Sequence, residues 1–215
     1  DTRLSPDRWH ENLASSITSE TLAVGISVMS GKPIENAISI GRYVKKNWPD
    51  VKVIWGGPHV TFYAHTILDQ EPSCDFAIAG YGAEPLAKLM DCISAGEGFS
   101  KVEGLSWRDG DKVVSNPMID QQFENIAWQD IPYHLIDDYT PYGQTDQDRR
   151  IFSRYIALGC PYQCSFCSSP AQYRTIDGKK LVRLPAGDIA YHIEFLVKTY
   201  GANYIYFIYD DSFPS

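Results

Sequence analysis

Three short apolar runs, each closed by a turn of small residues, constrain this sequence more than any other feature in it. "TLAVGISVM" covers residues 21–29, "VKVIW" (51–55) stops at "GGPH", and "DFAIA" (75–79) stops at "GYG". Runs this continuous suit strands buried on both faces of a parallel sheet. Between the first two, Ile34, Ala37, Ile38, Gly41, Val44 and Trp48 recur at three- and four-residue steps, with Pro33 suited to a first helical turn. Pro49 and Asp50 end that helix. "FYAHTILDQEP" reads as a shorter helix, and Leu86, Leu89, Met90 and Ile93 mark another that stops at Gly96. Strand and helix alternating at this spacing predict an α/β fold built on a doubly wound parallel sheet.

The pattern changes near Val102. "GLSWRDGDKVVSN" holds two strand-like stretches around Asp109 and Gly110, a hairpin signal that closes a first domain over residues 1–116. Residues 117–150 lack sustained periodicity and read as an ordered connector anchored by Trp128, Tyr133 and Leu135. A second unit, 151–215, runs strand ("RYIAL"), cysteine loop, helix and strand ("YIYFIY"). Its helix has Asp188 as the expected N-cap, one apolar face of Ile189, Ile193, Leu196, Val197 and Tyr200, and Gly201 as its left-handed stop. This is one βαβ unit with a cysteine-rich loop after its first strand.

Composition narrows the function. The chain has 215 residues, 44% of them hydrophobic, enough for one large or two modest cores. A formal charge of −8 without a Lys/Arg cluster argues against gripping a phosphate backbone, so no nucleic-acid partner is expected. No apolar run approaches the roughly 20 residues of a membrane helix, and no leader pattern opens the sequence. A cytoplasmic address without a membrane partner is the expectation. The chain begins at Asp1 and stops just after a strand-like run, which reads as a piece of a longer protein. Of its five cysteines, Cys160, Cys164 and Cys167 fall within eight positions, in "CPYQCSFC". That favours a reduced, metal-binding cluster over a disulfide framework.

Three thiolates on a short loop can hold three irons of a [4Fe-4S] cluster, where ordinary retention uses four cysteines. The fourth iron is then open to a small molecule. A zinc site needs a further protein ligand, for which His134 or His192 stands in the sequence. Cys74 and Cys92 are separated from each other by a helix and read as small buried hydrophobes.

C-x3-C-x2-C with Phe166 before the last cysteine resembles the signature loop of radical S-adenosylmethionine (SAM) enzymes. The resemblance implies that Cys160, Cys164 and Cys167 are cluster ligands, that SAM chelates the open iron and is cleaved to a 5'-deoxyadenosyl radical, and that Phe166 packs near the adenine. It also implies a partial (β/α)6 barrel, of which this chain holds the first βαβ. Most substrate contacts would then lie beyond Ser215, and the fragment alone is expected to be inactive. Asp210 and Asp211, at the end of the second barrel strand, are either contacts for the methionine amino group or a solvated strand end.

The first domain resembles the Rossmann-like cobalamin-binding domain of the B12-dependent branch of that superfamily. The matching stretches are "VGISVMSG", "VIWGGPHVT", "DFAIAGYGAEPL" and "GLSWRDGDKVVSNP". Ligands of open α/β sheets lie beyond the carboxyl ends of the strands, where Ser27, Ser30, Gly56, Gly57, Pro58, His59, Gly80, Tyr81, Gly82 and Glu84 fall. Glu84 also suits a helix start in its own right. A dinucleotide site at "GYGAEP" fails because Pro85 replaces the third glycine. The D-x-H-x-x-G motif that presents a histidine to cobalt is absent, so the resemblance implies cobalamin held without a protein imidazole, with His59 lining the pocket or capping the next helix. The family domain normally starts with a strand, a helix and a second strand, which do not precede "DTR" here.

Together these imply a cobalamin-dependent radical SAM enzyme: a methyltransferase acting on a small molecule at an unactivated carbon or phosphinate centre, fed by a flavodoxin- or ferredoxin-type electron donor. A cyclase or ring-rearranging enzyme is the alternative within enzymes. A non-catalytic Fe-S or zinc module for ligand binding or electron transfer is the alternative outside them.

Overall fold

The structure, a computed structural model, describes residues 6–118, 128–136, 139, 149–160, 162, 164–169 and 181–208. The chain divides between Gln121 and Gln122 into two compact units.

The first unit holds a five-stranded sheet in the order β1-β2-β3-β4-β5. Strands β1 (Ala23–Ser27), β2 (Lys52–Gly56) and β3 (Phe76–Ile78) run parallel, while β4 (Leu105–Asp109) and β5 (Lys112–Ser115) join as an antiparallel hairpin. The sheet is therefore mixed. The hairpin extends it beyond β3, turning through Gly110 at φ +59°. Helix α1 (Trp9–Ser16) precedes β1, α2 (Pro33–Asn47) and α3 (Pro58–Gln70) follow β1 and β2, and α4 (Ala83–Ala95) follows β3. Helix α1 buries no residue, which explains why no apolar period announces it.

Alternation along β2 and β3 sorts the side chains between two cores. Val53, Trp55 and Ala77 pack with Ala37 and Val44 of α2 and Val60, Ile67 and Leu68 of α3. Ile54, Phe76 and Ile78 face the other way, onto Leu89 of α4 and onto Val102 and Leu105. The two faces are thus covered by different helices, so β2 carries no polar position except at its ends. Gly41 in α2 is required by packing, since a Cβ there would stand 2.5 Å from Ser73 Oγ. Arg108 of β4 reaches back over the sheet and donates to the carbonyls of Leu68, Glu71 and Cys74 at 2.5, 2.8 and 2.7 Å. It ties the end of α3 to the segment that leads to β3.

In the second unit β6 (Ile151–Tyr155) pairs in parallel with β9 (Tyr204–Ile208), and α5 (Ala186–Tyr200) connects them. The stretch "RYIAL" is not one strand. It breaks at Ile156, and β7 (Ala157–Gly159) leaves the sheet to pair antiparallel with β8 (Leu181–Arg183). Asp188 is not the N-cap of α5: the helix opens after Pro185, and Asp188 sits inside its first turn, where a carboxylate still suits the helix dipole. Gly201 ends α5 at φ +65°. The core is Phe152, Leu196 and Ala202, ringed by Tyr133, Tyr139, Phe195 and Tyr200. Trp128 and Tyr133 of the expected connector belong to this unit, whereas Leu135 is 72% exposed and anchors nothing.

Candidate functional site

The carboxyl ends of β1, β2 and β3 carry the residues singled out in the first domain, and backbone bonds join the first two loops. Val28 N–H donates to Gly56 O at 2.8 Å, and His59 N–H donates to Val28 O at 3.1 Å. The approach is close enough to demand glycine at position 57. Its φ is +97°, and a Cβ would meet Ser27 Oγ and Val28 N at 3.0 Å. Side chains continue the connection: Ser30 Oγ lies 3.0 Å from His59 Nδ1. The structure thus brings Ser27, Ser30, Gly56, Gly57, Pro58 and His59 together.

The third loop joins through a residue that sequence reasoning missed. Thr61 Oγ1 accepts from Gly80 N–H at 3.0 Å and donates to Gly57 O at 3.1 Å. Gly80 holds φ +83°, and Tyr81 and Gly82 lead from it into α4. Glu84 stands apart in its commitments, because its carboxylate pairs with Lys88 at 2.8 Å along α4. Its place in the first turn of α4 also suits the helix dipole. Around these loops, Met29, Phe62, Tyr63 and Leu86 expose 57, 41, 51 and 38% of their surfaces. Met29 lies two residues beyond β1, and Phe62, Tyr63 and Leu86 lie near the starts of α3 and α4. Tyr63 is non-helical within α3 and tilts its ring against His59, with centroids 4.9 Å apart. A separate groove of about 710 Å³ runs along the outer side of β1 between α1 and α2, and of the residues named above it is bordered by Ser27 and Met29.

The cysteine loop of the second unit leaves β7 through Gly159 at φ +86°. Cys160 is half-buried, Cys164 and Cys167 are exposed, and all three thiols are free. A turn with Cys167 N–H on Cys164 O at 3.1 Å holds the last two close in the chain. Phe166 is 91% exposed. The donor set is chemically that of an iron–sulfur cluster, three thiols without competing disulfides. In position it is not yet a ligand set, for among the described residues no three Cys, His, Asp or Glu side chains converge on one point. Asp210 and Asp211 lie outside the described residues.

The zinc alternative finds no ligand in His192. That ring is 1% exposed, lies 2.8 Å from the Tyr133 hydroxyl through Nε2 and stacks on Trp128 at 5.4 Å. Burial, followed by the nearby Arg154 charge, pushes its pKa down to about 4. It is a core residue. Cys74 is also buried, and burial pushes its thiol up to about 12. It is a packing residue, as expected. No helix among the described residues is long and apolar enough to cross a membrane.

Residues 4–90 match the model of the B12 binding domain family. The anaerobic magnesium-protoporphyrin IX monomethyl ester cyclase of a Synechocystis species is 29% identical over 150 residues, covering 66% of this chain and 28% of that protein. The cobalamin-dependent radical SAM methyltransferase TokK of Streptomyces tokunonensis is 30% identical over 142 residues, covering 60% of this chain and 19% of its own length. The chain therefore spans less than a third of either relative. The radical SAM methyltransferase TsrM of Kitasatospora setae, solved with cobalamin and a [4Fe-4S] cluster bound, shares the fold at a TM-score of 0.71 and 17% identity, over 98% of this chain and 41% of that one. With the family match over residues 4–90, the first unit carries a B12-binding domain, and the chain as a whole is similar to radical SAM proteins and cyclases of this kind.

Proposed function

We propose that the chain is the B12-binding domain and the opening βαβ of a cobalamin-dependent radical SAM methyltransferase that acts on a small molecule at an unactivated carbon or phosphinate centre. The observation that carries this reading is the pairing, in one chain, of a B12-binding domain match with three free thiols spaced C-x3-C-x2-C on a loop after a strand. Cys160, Cys164 and Cys167 would hold the cluster, Phe166 the adenine end of SAM, and Asp210 and Asp211 its methionine end. Ser27, Ser30, Gly56, Gly57, Pro58, His59, Gly80, Tyr81, Gly82 and Glu84 would hold cobalamin. When bound, these groups supply a carbon-centred radical and a carrier for the methyl group.

The chain's own residues bind and orient. Glycine turns would let a flat macrocycle approach the backbone, and the exposed apolar side chains of Met29 and Tyr63 would offer it apolar contact. His59 has Nδ1 engaged with Ser30, which fixes the ring as part of the loop. The whole protein would take electrons from a flavodoxin- or ferredoxin-type donor and work in the cytoplasm. A second reading, a ring-forming cyclase, is favoured by the cyclase relatives, among them the protein from Cereibacter sphaeroides at 31% identity.

Anaerobic reconstitution of the full-length protein with iron and sulfide, followed by EPR with and without SAM, tests the radical SAM part. An unchanged cluster signal on adding SAM rejects it. Deuterated-methyl SAM then separates the two readings, because a methyltransferase adds three mass units from the label to its product and a cyclase adds none.

A further inference from the structure

Among the residues after the strands, Thr61 has a hydroxyl that both donates and accepts, and its two partners lie on different loops. A threonine hydroxyl offers one hydrogen and two lone pairs. The hydrogen goes to Gly57 O at 3.1 Å, four residues back in α3, and a lone pair receives Gly80 N–H at 3.0 Å, 19 residues ahead. The first bond is a common one for threonine in a helix. The second is not local and has to be explained by tertiary structure.

Position decides what that second bond does. Sheet-like bonding along β3 continues through Ala79, whose N–H donates to Gly104 O at 2.9 Å. Gly80 is the next residue, at φ +83°, where the chain turns towards α4. Thr61 therefore catches the first amide beyond that bond. On its other side the Gly56–Gly57 turn is already fixed to the β1 loop by the Val28 and His59 backbone bonds. A Cβ added at Gly57 would meet Ser27 Oγ and Val28 N at 3.0 Å, so the turn is packed closely on the β1 loop. A change at Thr61 then moves the Gly80 to Gly82 loop relative to the other two, and the buried side chains beneath are untouched.

We infer that Thr61 is a positioning residue for cobalamin: its hydroxyl sets the spacing between the glycine turn after β2 and the glycine turn after β3, the two that would approach the corrin. This rests on the cobalamin reading above. The residue need not touch the ligand. It acts through the Gly80 amide.

The test is titration of hydroxocobalamin into the full chain, followed by the visible absorption of the bound corrinoid, for wild type, Thr61→Ser and Thr61→Val. Serine keeps both bonds, and its affinity is expected to stay within about threefold of wild type. Valine keeps the shape and loses the hydroxyl, and roughly tenfold weaker binding with a shifted corrinoid spectrum is expected while the far-ultraviolet circular dichroism stays unchanged. Equal binding by Thr61→Val overturns the positioning role and leaves the cobalamin reading standing. Wild type that retains no corrinoid overturns that reading and this inference with it. If the valine variant does not fold, amide exchange at Gly80 in wild type decides: protection well above that of an open loop supports the bond, and exchange at the open-loop rate overturns it.

Discussion

The Tyr133 hydroxyl lies 2.8 Å from Nε2 of His192, tying the chain ahead of the second unit's sheet to the helix that covers it. Burial pushes the Tyr133 phenol above its usual range, so the proton stays on the oxygen and can be donated to a neutral ring. Among the described residues Nδ1 of His192 has no hydrogen-bond partner, so the ring is held through Nε2. Tyr133→Phe removes the partner and leaves both nitrogens of a 1%-exposed ring unsatisfied. A loss of about 1–3 kcal/mol from the stability of the second unit is expected. Urea unfolding followed by tryptophan fluorescence measures it, since Trp128 stacks on the same ring. An unchanged midpoint would show that the bond contributes nothing.

The same histidine gives the second unit an acid dependence. Its folded pKa is lowered to about 4 from 6.5, first by burial and then by Arg154, so the folded state resists protonation and the unfolded state accepts it. Stability rises with pH wherever the unfolded chain binds more protons. The contribution is therefore complete above the unfolded value, falls as pH drops from about 6.5 towards 4, and levels off below that. Unfolding midpoints measured across this window should decline for wild type and show a shallower slope for His192→Phe. Equal slopes would place the acid sensitivity in other groups.

Thiol chemistry separates the two kinds of cysteine. Burial pushes Cys74 up to about 12, and its side chain is fully enclosed, while Cys164 and Cys167 are exposed on their loop. Reaction follows thiolate character and access. Iodoacetamide added to the cluster-free protein near neutral pH should label Cys164 and Cys167 first, the half-buried Cys160 more slowly, and Cys74 only after unfolding. Peptide mass spectrometry reads the order. Cluster reconstitution beforehand should protect Cys160, Cys164 and Cys167 together, and protection of only one or two would count against a three-cysteine ligand set.

How much of this was legible depended on whether a feature is written locally. The strands of the first unit's parallel sheet could be read because Val53, Ile54 and Trp55 are all buried, which leaves no polar position to confuse the pattern. The hairpin could be read from Gly110, but not that it would pair with β3, since nothing near Trp107 specifies Phe76 as its partner. Helix α1 has no fully buried residue, only partly buried ones such as Leu13 against the core, and so a weak period. The break at Ile156 depends on β8, whose partner residues lie more than 20 positions away in sequence. In the candidate site, the glycines and the cysteine triplet were visible as local motifs. Thr61 was not, because its meaning lies in an amide 19 residues on, and a lone threonine in a first helical turn signals nothing by itself.

Arg108 illustrates the same kind of distant relationship with a larger expected effect. Its guanidinium donates to three carbonyls, those of Leu68 and Glu71 at the end of α3 and of Cys74 in the segment that leads to β3. Charged donors make the stronger hydrogen bonds, and the planar fork serves several acceptors at once. Arg108→Met retains most of the apolar stem and strips the donors, so a loss of about 2–4 kcal/mol is expected. Arg108→Lys should recover less than half of it, because an ammonium cannot span three separated carbonyls. Chemical denaturation of the three proteins gives the order, and a lysine variant equal to wild type would refute the fork.

A glycine series tests the geometry of the proposed cobalamin face without reference to any ligand, and then with one. Gly25 lies within β1 with nothing inside 4 Å of an added Cβ and no positive φ. Gly25→Ala should therefore leave stability unchanged or raise it by up to about 1 kcal/mol, as alanine costs the strand less entropy. Gly31 has equal space but φ +96°, so Gly31→Ala carries backbone strain alone, on the order of 1 kcal/mol. Gly57 combines φ +97° with contacts at 3.0 Å to Ser27 Oγ and Val28 N. There the strain is joined by displacement of the β1 loop, and a cost of roughly 2–4 kcal/mol follows. Thermal unfolding should rank the variants in that order. Because the displaced loop carries Ser27 and Ser30, hydroxocobalamin binding should fail in Gly57→Ala and persist in Gly25→Ala. A Gly57→Ala protein that still bound the corrinoid with wild-type affinity would remove the turn after β2 from the proposed site.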